Sequence, residues 1–291
     1  MPAVFIILAL TAVVLAVILI RAALFVPRDG PQPSVDAAEF DREAAQAAQA
    51  ALVRCKTVSC ADPSLEDDGE FAKLTALLPE LYPHVAEVCP MQRLPDRGLL
   101  FHWKGKAAGE PAVLMAHYDV VPVEEENWEK PPFSAVVEDG VMWGRGTLDT
   151  KVTFNGILSA ADALISQGFT PENDIYFAFS GGEEVAGRGA VNIVNWFGEH
   201  GIVPALVLDE GWRRVVNAVS ATWPGSAVSP YLMVQCSDSR HYRDLSDRVY
   251  RFSAMDLTGE ERATIHGNNE RIQLEVVHRA VEFFIRLMRQ C

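Results

Sequence analysis

The sequence has few cysteines, and none of the five forms a CxxC pair with another. That spacing argues against a zinc finger, and the odd number argues against a complete disulfide framework, although a bridge between Cys55 and Cys60 stays open. Basic residues are scarce as well, since 25 Lys and Arg face 39 Asp and Glu and leave a net charge of −14. Binding to phosphate relies on Lys and Arg, so we expect neither nucleic acid nor an anionic membrane surface as a partner.

Charge is missing altogether from residues 3–20, and the apolar run continues past Arg21 to Val26. At about 1.5 Å per residue, a helix of this length can cross a bilayer. No Lys or Arg precedes Arg21, which is unlike a cleavable signal peptide. We therefore predict a single-pass membrane anchor, or an uncleaved signal, over residues 1–27, and the side of the membrane stays open. A linker at 28–35 and one folded domain at 36–291 complete the predicted organisation.

The folded part alternates between helical and strand patterns. The predicted helices are 36–54, 68–78 (ended by Pro79), 152–167 and about 190–197, with a loop between Pro79 and Pro90. The predicted strands are 99–103, 112–116, 173–180, 205–209 and 231–235, with a hairpin at 135–143 that turns at Asp139 and Gly140. This order predicts an α/β fold with a mostly parallel or mixed central sheet flanked by helices, preceded by the N-terminal transmembrane helix.

Acidic residues and one histidine stand at the ends of these strands or just after them. They are His117, Asp119, Asp149, Glu183, Glu184 and Asp209. Open α/β sheets collect ligands at the carboxyl ends of their strands, so these side chains are expected to meet in one crevice. Carboxylates so close together repel each other unless a proton or a cation lies between them. Because no cysteine is among them, they indicate nitrogen and oxygen ligation of zinc or a similar divalent ion.

Taken singly, some of these residues also have simpler explanations. His117 and Asp119 fit a core histidine beside a turn aspartate, and Asp149 fits the N-cap of the helix at 152–167. Two adjacent glutamates after glycines are harder to explain without a bound cation. The joint placement of all six at strand ends favours a site.

Six stretches of the sequence resemble the co-catalytic zinc metallopeptidases that include carboxypeptidase G and the aminoacylases. The resemblance is closest to the Gly-Xaa carboxypeptidase, or carboxypeptidase S, group. The stretches are MAHYDVVP (115–122), WGRGTLDTK (143–151), Glu183 with Glu184, VLDEG (207–211), SDSRHY (237–242) and IHGNNERI (265–272). Together they are far more specific than any one alone, and the resemblance extends from about residue 36 to the C-terminus.

The resemblance implies a role for each matching residue. Asp149 would bridge two zinc ions, His117 and Asp209 would complete one site, and Glu184 and His266 would complete the other. Asp119 would orient His117, and Glu183 would be the general base that acts on the attacking water. The implied cofactor is two Zn²⁺ per chain, with other divalent ions such as Co²⁺ or Mn²⁺ left open.

Arg240 resembles the family position that holds the carboxylate of the substrate, a task that suits a bidentate guanidinium. A surface arginine without a role is the alternative. The substrate would be a small peptide or an N-acyl amino acid, and the protein would be a hydrolase that cleaves the amide bond next to its free carboxylate.

One departure from the family concerns the lid. The relatives insert a lid domain after the strand of Asp209, and it supplies dimer contacts and part of the substrate pocket. Here only 212–230 lie between that strand and the next, which is below the ~40 residues a domain needs to fold unaided. We therefore expect no lid between 211 and 231 and no lid-mediated dimer. The missing lid motivates a rival interpretation, a catalytically weak metal-binding remnant with a structural or regulatory role.

Overall fold

The protein is described by a computed structural model over residues 2–23, 37–107, 109–207, 211–229 and 237–291. In these ranges the α-helices are α1 (Pro2–Ala23), α2 (Arg42–Val53), α3 (Asp68–Leu81), α4 (Pro83–Val88), α5 (Lys151–Ser166), α6 (Gly189–Glu199), α7 (Gly211–Thr222), α8 (Gly259–Arg262) and α9 (Leu274–Met288). The strands are β1 (Met91–Leu94), β2 (Gly98–Trp103), β3 (Ala112–His117), β4 (Val136–Glu138), β5 (Val141–Trp143), β6 (Ile175–Ser180), β7 (Leu206–Val207) and β8 (Arg271–Gln273).

The central sheet of the described chain has the strand order β1-β2-β6-β3-β7. Strand β3 pairs in parallel with β6 and β7, whereas β2 pairs antiparallel with β1 and β6, so the sheet is mixed. A second, antiparallel sheet joins β4, β5 and β8. These features confirm the predicted α/β fold with a mixed sheet and flanking helices.

Alternate residues of the central strands build two separate cores. On β6, Ile175, Phe177 and Phe179 belong to the larger core, which includes buried residues of α2, α5 and α9. Tyr176 and Ala178 belong to the smaller core, which includes buried residues of α6. Successive side chains of a strand point to opposite faces, so a strand covered on both faces is apolar throughout. The continuous apolar run at the end of the predicted strand 173–180 has this origin.

The hairpin predicted at 135–143 is present as β4 and β5, which pair antiparallel. Its turn residues, Asp139 and Gly140, both adopt left-handed backbone conformations, with φ of 52° and 78°. This turn type suits the twist of the strands and favours an Asp-Gly pair. The sheet that it forms with β8 places the segment after β5 beside the segment before β8.

Pro79 does not end a helix, which corrects the sequence prediction. Helix α3 continues to Leu81 with Pro79 inside its last turn. The lost hydrogen bond is tolerated because Leu74 and Leu78 bury the inner face of this helix in the core. The loop predicted between Pro79 and Pro90 was also wrong, because α4 occupies most of it, with Pro83 in its first turn.

Helix α2 begins later than predicted, at Arg42, and Asp41 caps it by accepting a hydrogen bond from the backbone N–H of Ala44. The predicted start at Asp36 and the strand predicted at 231–235 lie outside the described residues. The optional bridge between Cys55 and Cys60 is not formed, since both are free thiols.

Helix α1 contains one stretch, Val4–Arg21, that is long and apolar enough to cross a membrane. The same length and composition also fit a signal sequence near the N-terminus. Helix α1 therefore agrees with either of the two roles expected from the sequence.

Candidate metal-dependent active site

The site begins where β3 and β6 end side by side. His117 closes β3 and lies opposite Ser180, the last residue of β6, in the parallel register. Parallel strands end at the same edge of a sheet, so the residues that follow β6 come close to His117. Those residues include the two adjacent glutamates.

The ring of His117 is held from both of its nitrogens. Nδ1 lies 3.1 Å from the backbone oxygen of Asp119 and 3.4 Å from a carboxylate oxygen of the same residue. Both oxygens are acceptors, so Nδ1 carries a proton and Nε2 faces the site. Nε2 lies 3.0 Å from Oδ1 of Asp149. That oxygen is also an acceptor, so this contact requires a second proton on the ring or a cation between the two residues.

The carboxylate of Asp119 also fixes the two glutamates. Asp119 is fully buried, and its two oxygens accept one hydrogen bond each from the backbone N–H groups of Glu183 and Glu184, both at 3.1 Å. Burial opposes ionisation of Asp119, but its contact with His117 holds the pKa of the carboxyl below its usual range. One charged side chain thus joins the end of β3 to the segment after β6.

Asp149 lies between the two histidines of the site. Its second oxygen, Oδ2, is 3.1 Å from Nε2 of His266. Burial acts against ionisation of Asp149, yet the hydrogen bonds from His117 and His266 lower its pKa strongly. The alternative role of Asp149 as an N-cap is wrong, because α5 begins after Thr150, which makes no side-chain capping bond.

The two glutamates of the short 3₁₀ helix Glu183–Val185 differ in their surroundings. Glu184 is 5% exposed at its side chain, and its Oε2 lies 3.1 Å from Nε2 of His266. Glu183 is 18% exposed, and its nearest such contact is 4.0 Å, to Nε2 of His117. Burial raises the pKa of Glu183, and burial together with the charge of Asp149 raises the pKa of Glu184 to about 7.

The imidazole nitrogens and carboxylate oxygens of the site are suitable ligands for a divalent cation. One ligand atom each of His117, Asp149 and Glu184 lies within 4.8 Å of the others. In the described part of the chain, the buried Oε1 of Glu184 has no hydrogen-bond partner. A buried carboxylate oxygen without a partner is costly unless positive charge compensates it. Imidazole and carboxylate ligands without cysteine are a donor set that zinc accepts. Asp209, the remaining ligand expected from the sequence, lies outside the described residues.

Arg240 lies on a 3₁₀ helix, Asp238–Asp244, which is attached to the end of β6. The attachment is a hydrogen bond from the hydroxyl of Ser180 to the carboxylate of Asp238, a residue that is 3% exposed. Arg240 itself is half-buried and donates from Nε to Nε2 of His241. Its role as a ligand for the substrate carboxylate stays a prediction.

Sequence reasoning assigned no role to four buried charged residues around the site, namely Asp238, Arg145, Glu270 and Lys151. Lys151 donates from its ammonium group to the backbone oxygens of Leu52 and Cys55, at the end of α2. Burial lowers the pKa of this lysine to about 8. The stretches that contain these residues do stand out by their resemblance, but the partners of their side chains are distant in the sequence.

Part of the site lies in a stretch that matches a protein-family model. The model described as Peptidase family M20/M25/M40 matches residues 113–211. Over 162 residues the chain is 38% identical to the probable carboxypeptidase S-like 2 of Dictyostelium discoideum, covering 54% of this chain and 31% of that protein. Over 216 residues it is 31% identical to the N-fatty-acyl-amino acid synthase/hydrolase PM20D1 of Homo sapiens, covering 70% of this chain and 42% of that protein. The chain thus spans less than half the length of either relative.

A solved structure supports the fold. The glutaminyl cyclase of an Acidobacteriales bacterium superposes with a TM-score of 0.58 at 14% identity. The match covers 89% of this chain and 97% of the other. At this identity the likeness concerns the fold alone.

Proposed function

Because the chain contains a Peptidase M20 family domain, we propose that it is a zinc-dependent hydrolase. Its reaction is cleavage of the amide bond next to a free carboxylate, in a small peptide or an N-acyl amino acid. The observation that carries the proposal is the convergence of His117, Asp149, Glu184 and His266, with the base candidate Glu183 beside them. The relatives named as carboxypeptidase S-like and as N-fatty-acyl-amino acid synthase/hydrolase support both substrate classes.

The proposed ligands divide into two sets that share Asp149. His117 and Asp209 complete the first, and Glu184 and His266 complete the second. Bound zinc would supply Lewis-acid activation of water and of the scissile carbonyl.

The proton transfers are assigned to Glu183. Its carboxylate accepts a proton from the attacking water as the oxygen adds to the carbonyl carbon. The same carboxyl group then donates that proton to the amine nitrogen as the C–N bond breaks, so the residue returns to its starting state. Asp119 keeps Glu183 in place through the backbone N–H and keeps Nδ1 of His117 protonated.

We expect close to two zinc ions per chain in protein purified with zinc, measured by elemental analysis. The same sample should hydrolyse members of a small panel of Gly-Xaa dipeptides and N-acyl amino acids. One ion or none in a folded sample would rule out the bridging role of Asp149. Two ions without hydrolysis of any substrate would favour the rival interpretation, a metal-binding remnant.

We also propose that the lid is absent between 211 and 231. Helix α7 packs against α9 of the domain. Arg279 and Arg286 of α9 both donate to Thr222, at the backbone oxygen and the hydroxyl. The ring of Trp223 lies 6.1 Å from that of Phe283. With α7 packed in this way and no lid to close over the site, we expect an open cleft with weak substrate binding.

In such a cleft Arg240 would be the main ligand for the substrate carboxylate. Hydrogen bonds to charged groups contribute about 1.5–3 kcal/mol, so Arg240→Ala should raise KM for free-acid substrates about 10–100-fold. It should leave KM for the amidated substrates unchanged and so remove the preference for free acids. The matched control is Arg243→Ala, because Arg243 lies on the same 3₁₀ helix but is exposed and faces Asp244. An unchanged preference in Arg240→Ala would contradict the assignment.

Helix α1 is proposed to anchor the domain to a membrane, on the basis of the length and composition of Val4–Arg21. The segment between α1 and the domain lies outside the described residues.

A further inference from the structure

We propose that Arg145 and Glu270 are positioning residues that hold two ligand-bearing segments together, the one with Asp149 and the one with His266. Without this buried pair, the second zinc ion, bound by Glu184 and His266, should bind weakly. The inference rests on the proposed function, because it concerns the metal site assigned there.

Glu270 organises the segment that leads to Asp149. It is fully buried, and its Oε1 accepts hydrogen bonds from the backbone N–H groups of Gly146, Leu148 and Asp149, at 3.1, 2.8 and 3.3 Å. Three N–H groups that point to one oxygen form a nest for an anion. The backbone of Asp149 is therefore fixed by a carboxylate that is not among the proposed metal ligands.

Arg145 belongs to the segment of Asp149 and contacts the segment of His266 at two points. Its Nη1 lies 2.6 Å from Oε2 of Glu270, and its Nη2 donates to the backbone oxygen of Gly267 at 2.9 Å. The planar guanidinium makes both contacts at once and lies 5.2 Å from the ring centroid of Trp128. A lysine at this position has a shorter side chain and donates from one nitrogen instead of a planar fork, so we expect it to keep the contact with Glu270 and to lose the one with Gly267.

The loop of His266 needs such support. His266 has a φ of 60°, in the left-handed region that residues with a Cβ disfavour. Its side chain is 50% exposed, so burial of the ring does not fix the loop. Strained backbone conformations persist only where the surroundings impose them. The bond from Arg145 acts on Gly267, next to the strained residue.

Together these contacts set the distance between the two ligands. The N–H groups that surround Oε1 of Glu270 fix the position of Asp149. The hydrogen bond from Arg145 to the backbone oxygen of Gly267 fixes the position of His266. Outer contacts of this kind orient metal ligands, and their loss typically weakens metal binding about 10–100-fold. Because Arg145 contacts Gly267, the residue next to His266, its loss should affect the second ion more than the first.

The test is Arg145→Lys in the full chain, which keeps the buried charge opposite Glu270 but loses the contact with Gly267. Titration of the metal-free protein with zinc should show one site of wild-type affinity and a second weakened about 10–100-fold. The matched control is Arg271→Lys. Arg271 belongs to the same part of the chain, lies 5.0 Å from the ring of Trp143 and donates to the backbone oxygen of Asn269. The Arg271→Lys variant should bind two zinc ions with the affinities of the wild type.

A double variant separates positioning from general stability. Arg145→Met with Glu270→Gln removes both buried charges, while the amide oxygen can still accept from the nest. The metal-free double variant should unfold at a temperature close to that of the metal-free wild type. Its second zinc site should nevertheless stay weak. Recovery of the second site along with stability would overturn the inference, since the pair would then be only structural.

The outcomes also separate this inference from the proposed function. Wild-type protein that binds two ions, with an Arg145→Lys variant that binds both at unchanged affinity, overturns the inference alone. Wild-type protein that binds no zinc overturns the proposed function and the inference with it.

Discussion

Replacing Glu183 by Gln should lower turnover by about 10²–10⁴ while both zinc ions stay bound. Gln keeps the size of the side chain and its capacity for hydrogen bonding, but it cannot accept the proton from water. The metal should be retained because Glu183 is the glutamate farther from the histidines, with its closest contact at 4.0 Å. Turnover on the best substrate of the panel and zinc content by elemental analysis are the two measurements.

Glu184→Gln is the matched variant, because it changes the neighbouring residue in the same chemical way. Glu184 lies 3.1 Å from His266 and carries the buried oxygen Oε1, so its charge is expected to bind metal. Its replacement should lower the zinc content toward one ion. Loss of zinc in Glu183→Gln with retention in Glu184→Gln would mean that the two roles are exchanged.

The central strands could be predicted because burial on both faces leaves a direct trace in the sequence. The apolar side chains in the runs that form β3 and β6 would be exposed to water at the surface, so these runs must be buried. The runs are also too short for long helices. The ends of these strands were predictable for the same reason. The polar residues His117 and Glu183 mark where the chain leaves the two cores, and the parallel register then brings them together.

Helix α4 could not be predicted, because the residue that caps it is distant in the sequence. Pro83 and its neighbours resemble a loop when read alone. In the fold, Oδ1 of Asp162 accepts hydrogen bonds from the backbone N–H groups of His84 and Val85. This contact spans 78 positions and supplies the cap that the local sequence lacks. Pro83 then suits the first turn, where a missing N–H costs little.

The supporting contacts of the site were unpredictable for a similar reason. Arg145 and Glu270 are 125 positions apart, and each also reads as an ordinary charged surface residue. Their only sequence signal is that both lie in stretches that resemble the metallopeptidases. The N-cap interpretation of Asp149 failed in the opposite way. Its local position before α5 is typical of a cap, but the tertiary contacts with His117 and His266 take its carboxylate.

Asp149→Asn should reduce the zinc content from two ions to one or none. The substitution keeps the shape of the side chain but removes the charge shared by both metal sites. One of the two carboxylate oxygens becomes an amide nitrogen next to Nε2 of His117 or of His266. An amide nitrogen is a hydrogen-bond donor and cannot act as a metal ligand there. Loss of the metal removes several kcal/mol of stabilisation from the transition state. Each 1.36 kcal/mol is a factor of ten in rate, so turnover should fall by about 10³ or more.

Asp174→Asn is the control for this prediction. Asp174 is also paired with a histidine, His102, at 2.9 Å, and its side chain is 26% exposed against 31% for Asp149. It lies just before β6, at the opposite end of that strand from the two glutamates, so its replacement should change neither zinc content nor turnover. If Asp149→Asn keeps two ions at wild-type affinity, the shared carboxylate is not a ligand. The two histidines would then be held by hydrogen bonds to Asp149 alone, as their distances of 3.0 and 3.1 Å also allow.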